Sequence, residues 1–213
     1  MAKLLFQVPT PLPSKFPKSQ VLSPLDELLW AIIGLLLTVS GVFIEVSLSI
    51  PTGWPLAWGE MQAYSLGSTL QVGAVLLIGC VGGKNAAALS QIAYLALGLS
   101  GAQVFAQGGG LGYWQEPTFG YLLGFLPAAW LCGYIAFRQP RRFDAIVLSC
   151  LVGLLVIHLL GLVYLTGLSL FGSLPEGWWS AVLQYSFTPF PGQLLMICAV
   201  SLIAFIFRRL LFY

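Results

Sequence analysis

Charged side chains are scarce in this sequence. Only 8% of its 213 residues are Asp, Glu, Lys or Arg, whereas ordinary soluble domains contain roughly a quarter. With 58% apolar residues, a globular domain in water would lack the polar side chains needed to cover its surface. The net charge of +2 is too small to favour a nucleic-acid partner. Composition therefore excludes a soluble domain and predicts no binding to nucleic acid.

Groups that carry catalysis or bind metals are equally rare. The chain has one histidine and four cysteines, and the cysteines show no pairwise spacing of the metal-ligand kind. It contains no Gly-x-Ser-x-Gly sequence, no metalloprotease-like histidine pair and no phosphate-binding loop of the Walker type. We therefore expect no enzyme activity, no cofactor and no metal site, and we interpret the cysteines as buried free thiols. If the protein uses ATP, another subunit has to supply the ATPase site.

Apolar segments near the length of a bilayer recur along the chain, separated by breaks rich in Gly and Pro. We predict an all-α, polytopic membrane protein with six transmembrane helices at residues 25–48, 64–81, 86–102, 118–137, 143–170 and 191–211. Residues 1–24 contain no signal-peptide core and are predicted to be a flexible cytoplasmic tail. Residues 25–213 are predicted to form one domain, with the lipid bilayer as its first partner.

The positions of the basic residues test this helix count. Because Lys and Arg accumulate in cytoplasmic segments, a correct topology should place them on one side of the membrane. With both termini in the cytoplasm, all nine fall on the cytoplasmic side: Lys3, Lys15, Lys18, Lys84, Arg138, Arg141, Arg142, Arg208 and Arg209. The loops predicted to lie outside contain Glu60, Glu116 and Glu176 and no base. We therefore expect a multi-pass protein of the plasma membrane.

A Gly-rich segment at residues 107–112, QGGGLG, interrupts two apolar segments and is predicted to open outward. It is a poor helix former, because each Gly costs about 1 kcal/mol relative to Ala in a helix. Non-helical backbone near membrane depth is tolerated only where it is buried in protein or lines a cavity. The amide and aromatic groups around it, including Gln103, Tyr113 and Trp114, suit a small and mostly neutral organic ligand. The sequence thus predicts a ligand-binding site at this loop.

The single histidine, His158, leaves two interpretations open. An ionisable group inside a membrane segment is a candidate functional residue. A neutral histidine in a packed bundle, however, needs only one carbonyl or hydroxyl partner. We favour the second interpretation, because no nucleophile or second histidine stands at helical spacing from it.

Three stretches, STLQ at 68–71, LGLSGAQVFA at 97–106 and PTFGYLLGF at 117–125, together resemble the BioY family. Its members are the biotin-binding S components of energy-coupling factor transporters. The resemblance extends from residue 25 to the C-terminus. It implies six helices, capture of biotin on the outer face of the membrane, and delivery with a transmembrane coupling subunit powered by two ATPase subunits.

The resemblance also implies roles for particular residues. It assigns ligand binding to Gln107, Gly108, Gly109, Gly110, Thr118, Gly120, Tyr121, Gln193 and Met196. The family docks to its coupling subunit through small residues four apart on the first helix, which Gly34 and Thr38 resemble loosely. For this pair, packing inside the bundle is an equal alternative.

The sixth predicted helix departs from the family pattern. Where the family usually has Asp-x-x-Lys, this chain has Gln193-Leu194-Leu195-Met196. The Gln193 amide still offers a donor and an acceptor for a ureido ring. A carboxylate on the ligand would have no cationic partner in place of the family's lysine, which would reduce the binding free energy by about 1.5–3 kcal/mol. We therefore expect weaker affinity for biotin or a different ligand. The second hypothesis for function is a binding or regulatory membrane protein without a transport cycle, and an intramembrane enzyme ranks third.

Overall fold

The computed structural model describes residues 23–51, 61–139 and 142–211 of the chain. Within these ranges, five helical segments are long and apolar enough to cross a membrane. Of the predicted tail, only Ser23 and Pro24 fall within the described residues, and they begin the first helix. The prediction of a mostly helical protein with several membrane-spanning segments is confirmed.

Helix α1 comprises Pro24–Val42. Its start follows from the sequence, because Ser23 Oγ accepts a hydrogen bond from the Asp26 backbone N–H at 3.2 Å and a proline suits the first turn of a helix. Its end lies earlier than the predicted position 48.

Two strands follow α1 and correct the all-α prediction. Strand β1, Glu45–Pro51, pairs antiparallel with β2, Met61–Thr69, and Leu48 lies opposite Tyr64. The sequence of β1, EVSLSIP, alternates polar and apolar side chains with the period of two that favours a strand. The prediction was wrong here because it treated the length of the apolar segment as stronger evidence than this alternation. For the same reason, the helix predicted at 64–81 begins only after β2.

Helix α2, Gln71–Leu99, contains a sharp reversal at Gly83, where φ is 80° and ψ is 175°. The side chain of Gln71 donates a hydrogen bond to Tyr94 OH at 2.6 Å, although 23 residues separate them. In a straight helix the two residues would lie about 35 Å apart. The two halves of α2 therefore run antiparallel, with the reversal between the predicted helices at 64–81 and 86–102.

The remaining helices are α3, Phe119–Arg138; α4, Phe143–Leu170; a short α5, Trp178–Val182; and α6, Phe190–Leu211. Three of them lie close to their predicted positions, whereas α5 lies in a stretch that was predicted to be a loop. A π-helical turn, Leu183–Phe187, follows α5 directly and leads to α6. Helices α2, α3 and α4 supply most of the fully buried side chains and form the centre of the bundle.

Helix α1 packs on α2 through small residues and turns apolar side chains outward. Gly34 is buried, and a Cβ atom there would lie 2.7 Å from Ile78 and 3.0 Å from Ser90. Thr38 is fully buried and donates to the carbonyl of Gly34 at 2.8 Å. The outward face of α1 exposes Leu25, Leu28, Leu29, Ile32, Ile33 and Leu36. An apolar face of this kind suits contact with lipid rather than water.

The contact at Gly34 leads to a first testable expectation. Replacing Gly34 by leucine should lower the free energy of unfolding by about 1–3 kcal/mol, because the new side chain overpacks the interface with α2. Thermal unfolding of the detergent-purified protein measures the effect. The matched control is Gly167→Leu on α4, where, in the part of the chain that the structure describes, a Cβ would have no neighbour within 4 Å outside the adjacent turns of its own helix. Equal unfolding temperatures for the two variants would contradict this interpretation of the α1–α2 contact.

Candidate ligand-binding site

The Gly-rich segment belongs to the loop between α2 and α3, and an aromatic side chain holds this loop from beneath. Phe105 is 3% exposed, and its ring packs against Tyr94 and Tyr113 at centroid distances of 5.2 and 4.6 Å. Gly98, in the last turn of α2, leaves the space for this ring, since a Cβ atom there would overlap it. Packing therefore fixes the irregular loop to the end of α2.

Hydrogen bonds close the loop on the same helix end. The backbone N–H of Gly110 donates to the Gly98 carbonyl at 2.7 Å. Deeper in the bundle, Tyr94 OH donates to the carbonyl of Val104 at 3.1 Å and accepts from Gln71 Nε2 at 2.6 Å. The start and the end of α2 thus hold the loop together.

Two of the loop glycines, Gly108 and Gly110, face away from the protein. Gly108 and Gly110 have φ values of 112° and 100°, which residues with a Cβ rarely adopt. At either position, no atom of another described residue beyond the chain neighbours would lie within 4 Å of a Cβ, and the side chain of Gln107 is exposed. Gly109 instead lies against the carbonyl of Ala102. A ligand would reach the glycines from outside the bundle, because aromatic rings fill the space beneath the loop.

A cavity of about 200 Å³ lies between Pro117, two residues before α3, and the segment that runs from the α4–α5 loop through α5 into the π-helical turn. Its lining residues are Pro117, Leu174, Pro175, Glu176, Gly177, Ala181, Gln184 and Tyr185. None of the residues predicted to bind ligand lines this cavity, although Pro117 directly precedes Thr118. The volume would hold part of a vitamin-sized molecule.

A buried polar cluster joins α3, α4, the π-helical turn and α6. His158 Nε2 lies 2.7 Å from Gln193 Oε1, and His158 Nδ1 lies 3.3 Å from Ser186 Oγ. Tyr121 OH lies 2.6 Å from the same Ser186 Oγ. His158 therefore has two side-chain partners, where the simpler sequence interpretation required one. Of the predicted ligand residues, Tyr121 and Gln193 meet in this cluster.

The chemistry of the groups fixes the direction of each hydrogen bond. The Gln193 carbonyl oxygen can only accept, so Nε2 of a neutral His158 carries the proton. Nδ1 then accepts from the Ser186 hydroxyl, whose oxygen accepts from Tyr121 OH. This arrangement holds the Gln193 amide with its oxygen towards His158. Its Nε2 group makes no hydrogen bond among the described residues and is available to donate to a ligand.

The other predicted ligand residues have partners within the protein. Thr118 Oγ1 lies 3.0 Å from Tyr113 OH, beside the aromatic rings that hold the loop. Gly120 gives space to the side chain of Tyr164. Met196 is 3% exposed and packs on Gly73, where a Cβ would lie 2.5 Å from the thioether sulfur. Met196 thus lies in the core one turn from Gln193.

Sequence reasoning assigned no ligand role to His158 and did not single out Ser186. The only signal for His158 was an ionisable residue within an apolar segment. Ser186 falls in a stretch interpreted as a loop, and 28 residues separate the two partners. Their contact depends on how α4 and the π-helical turn pack together, which residue spacing does not reveal.

The fold and the site define a class: a multi-pass helical membrane protein with an aromatic-anchored Gly-rich loop and a polar cluster between α3, α4 and α6. The BioY family model matches residues 17–212. The chain belongs to the BioY family.

Individual relatives agree with this assignment. A biotin transporter BioY of Rhodobacter capsulatus is 32% identical over 178 residues, which cover 78% of this chain and 90% of that protein. An uncharacterised 21.2 kDa protein of Cyanophora paradoxa is 34% identical over 185 residues, which cover 86% and 95%. The crystal structure of the S-component for biotin from an ECF-type ABC transporter aligns with a TM-score of 0.62 and 18% identity, covering 89% of this chain and 95% of that one. This last similarity shows a shared fold.

Proposed function

We propose that the protein is the substrate-binding subunit of an ECF-type transporter and takes up biotin, or a close analogue, across the plasma membrane. The observation that carries the proposal is membership of the BioY family over nearly the whole chain. The names of the relatives support a transporter rather than an enzyme. No observation in the described residues favours a binding protein without a transport cycle.

The transporter has six membrane crossings with both termini in the cytoplasm. The reversal at Gly83 supports this count, because the two halves of α2 then cross separately. Basic residues near the helix ends also lie together. Lys84 Nζ is 5.6 Å from the ring centroids of Trp130 and Tyr134, and the Arg138 guanidinium is 4.2 Å from the ring of Tyr134. Clustering of cations at one end of the bundle is what the positive-inside rule requires of the cytoplasmic end.

The ligand binds at the opposite end, near the Gly-rich loop and the polar cluster. Gln193 Nε2 donates to the ureido carbonyl of biotin, and His158 keeps the amide in the required orientation. Tyr121 supports the same cluster through Ser186. The exposed outer side of the backbone at residues 107–110 contacts the ligand, Thr118 and Gly120 position the start of α3, and Met196 shapes the core beneath Gln193. Because Gln193 and Met196 are neutral and stand where the family usually has an acid and a base, the affinity for biotin is modest.

Partner subunits complete the transport cycle. A transmembrane coupling subunit and ATPase subunits supply the energy, since the sequence contains no nucleotide-binding motif. A docking role for Gly34 and Thr38 stays a prediction. Both are buried against α2 in the isolated chain, so a partner would first meet the exposed apolar face of α1. Co-purification in detergent tests the assembly: retained coupling and ATPase subunits support it, and a protein recovered alone argues against it.

Uptake of radiolabelled biotin tests the function itself. Cells that lack their own importer should accumulate biotin when this chain is expressed, first alone and then with a coupling module. No accumulation in either condition would contradict the proposal.

The Gln193→Ala variant tests the site. Removing the amide should weaken biotin binding by about two- to twelvefold, because one hydrogen bond to a neutral group contributes about 0.5–1.5 kcal/mol. Titration of the purified protein with biotin measures the dissociation constant. Gln139→Ala is the matched control, since Gln139 is exposed after the last residue of α3, at the end with the basic residues. An unchanged dissociation constant for Gln193→Ala would remove this residue from the site.

A further inference from the structure

Three cysteines from three different helices meet in the centre of the bundle. Cys80 lies in the first half of α2, Cys132 on α3 and Cys150 on α4, and all three are fully buried. The sulfur of Cys80 is 3.5 Å from that of Cys132 and 3.5 Å from that of Cys150. All three sulfur atoms lie within 4.8 Å of one another and are free thiols.

The triangle of sulfur atoms has the size of a three-coordinate metal site. A metal–sulfur bond of about 2.3 Å gives sulfur–sulfur distances of about 4.0 Å around a trigonal ion. The observed separations, from 3.5 Å to no more than 4.8 Å, bracket that value. An ion could therefore bind with side-chain adjustments of a few tenths of an ångström.

Helix α6 adds two groups that apolar packing does not explain. Ser201 is fully buried next to Cys150, and its hydroxyl makes no hydrogen bond of normal geometry with any described group. A buried hydroxyl without a partner is unfavourable by about 1–3 kcal/mol, which a thiolate or a metal ion beside it would offset. Arg208, only 5% exposed, donates to the Ala136 carbonyl at 2.8 Å and interacts electrostatically with Cys80. A positive charge near Cys80 favours a site that becomes anionic on loading.

We propose that Cys80, Cys132 and Cys150 bind one soft, thiolate-preferring metal ion, and that this ion is Cu(I). Soft sulfur ligands select Cu(I) or Zn²⁺ over harder ions, and Zn²⁺ in closed protein sites takes four ligands. Among the described residues, this group offers three thiols and no fourth histidine, carboxylate or thiol. Three sulfur atoms without a fourth strong ligand therefore match Cu(I).

Loading the site releases protons. Three metal–sulfur bonds form, three S–H bonds break, and the three protons leave to the solvent, so that Cu(I) and three thiolates carry a charge of about −2. The Arg208 guanidinium offsets part of this charge, which matters because an uncompensated ion inside an apolar bundle is costly. The ion itself is supplied from outside the protein.

The metal site is separate from the ligand site. Cys150 and His158 lie on the same helix, about 12 Å apart along its axis. Loading of the cysteines is thus independent of the biotin proposal, and either can fail alone.

Titration with Cu(I) under anaerobic, reducing conditions tests the site, with bicinchoninate as the competing chelator. The full chain is purified in detergent as the Cys198→Ser variant, since Cys198 is the exposed cysteine outside the cluster. It should bind about one equivalent of Cu(I), with the same affinity as the unaltered chain. Adding Cys80→Ser, Cys132→Ser or Cys150→Ser should each weaken binding by at least about tenfold.

Two results would overturn the proposal. One is the absence of one-to-one binding in the Cys198→Ser protein, and the other is unchanged affinity in all three cluster variants. Should a serine variant fail to fold, X-ray absorption on the loaded Cys198→Ser protein decides. Three Cu–S bonds of about 2.3 Å support the site, and two sulfur ligands or none refute it.

Discussion

Replacing Gly98 by alanine is expected to reduce biotin binding by at least about tenfold and to lower the stability of the protein. The added methyl group would overlap the ring of Phe105, which fills the space beneath the Gly-rich loop. The ring would have to leave its contacts with Tyr94 and Tyr113. Losing a buried phenylalanine from a core costs about 3–5 kcal/mol, so we expect a fall of that order in the free energy of unfolding.

Displacing the Phe105 ring should also disrupt the conformation of the Gly-rich loop. The Gly110 N–H donates to the carbonyl of Gly98, so a shift at residue 98 also disturbs the closing hydrogen bond of the loop. Thermal unfolding and biotin titration of the purified variant measure the two effects. Gly112→Ala is the matched control, because a Cβ at that position in the same loop would have no described residue other than its chain neighbours within 4 Å.

A second substitution separates packing from other causes. In the double variant Gly98→Ala/Phe105→Leu, the smaller side chain relieves the overlap, and part of the lost stability should return. Unchanged biotin affinity in a clearly destabilised Gly98→Ala protein would show that the loop does not contact the ligand. That result would contradict the role proposed for residues 107–110.

The helices of this fold are largely predictable because their signals are local. Apolar runs of bilayer length, the serine cap before α1 and the basic stretch around Arg142 before α4 are each read from a few neighbouring residues. The hairpin of β1 and β2 was missed although its signal is local too. Its alternation covers only seven residues in β1, and the longer apolar run around it outweighed the pattern.

Contacts between distant helices could not be predicted in the same way. The pairs His158–Gln193 and Cys80–Cys150 are 35 and 70 residues apart, and nothing in either spacing indicates a contact. Such pairs depend on the rotation and depth of each helix in the bundle, which follow from the packing of many side chains at once. The loop glycines were found from the sequence because Gly-rich backbone is unusual in an apolar chain. The partners that orient Gln193 could be identified only in the three-dimensional structure.

Among the polar side chains, His158 is the one whose removal, in His158→Phe, is expected to lower the stability of the protein most. Phenylalanine keeps the volume of an aromatic ring but removes both hydrogen bonds, so Gln193 Oε1 and the Ser186 hydroxyl lose their shared partner. Each buried group left without a partner costs about 1–3 kcal/mol. The Gln193 amide would also be free to rotate, and we therefore expect biotin affinity to fall by at most as much as in Gln193→Ala.

Two further variants distinguish orientation of the amide from general damage to the bundle. His158→Gln retains a donor that can reach Gln193 Oε1, so most of the biotin affinity should remain. Leu159→Phe introduces the same ring at the neighbouring position, which is 61% exposed on the outside of α4, and should change neither affinity nor stability. If His158→Phe bound biotin as tightly as the unaltered protein while Gln193→Ala did not, the amide would bind the ligand without help from the histidine. The polar cluster would then serve packing alone, and the tautomer assigned to His158 would have no part in recognition.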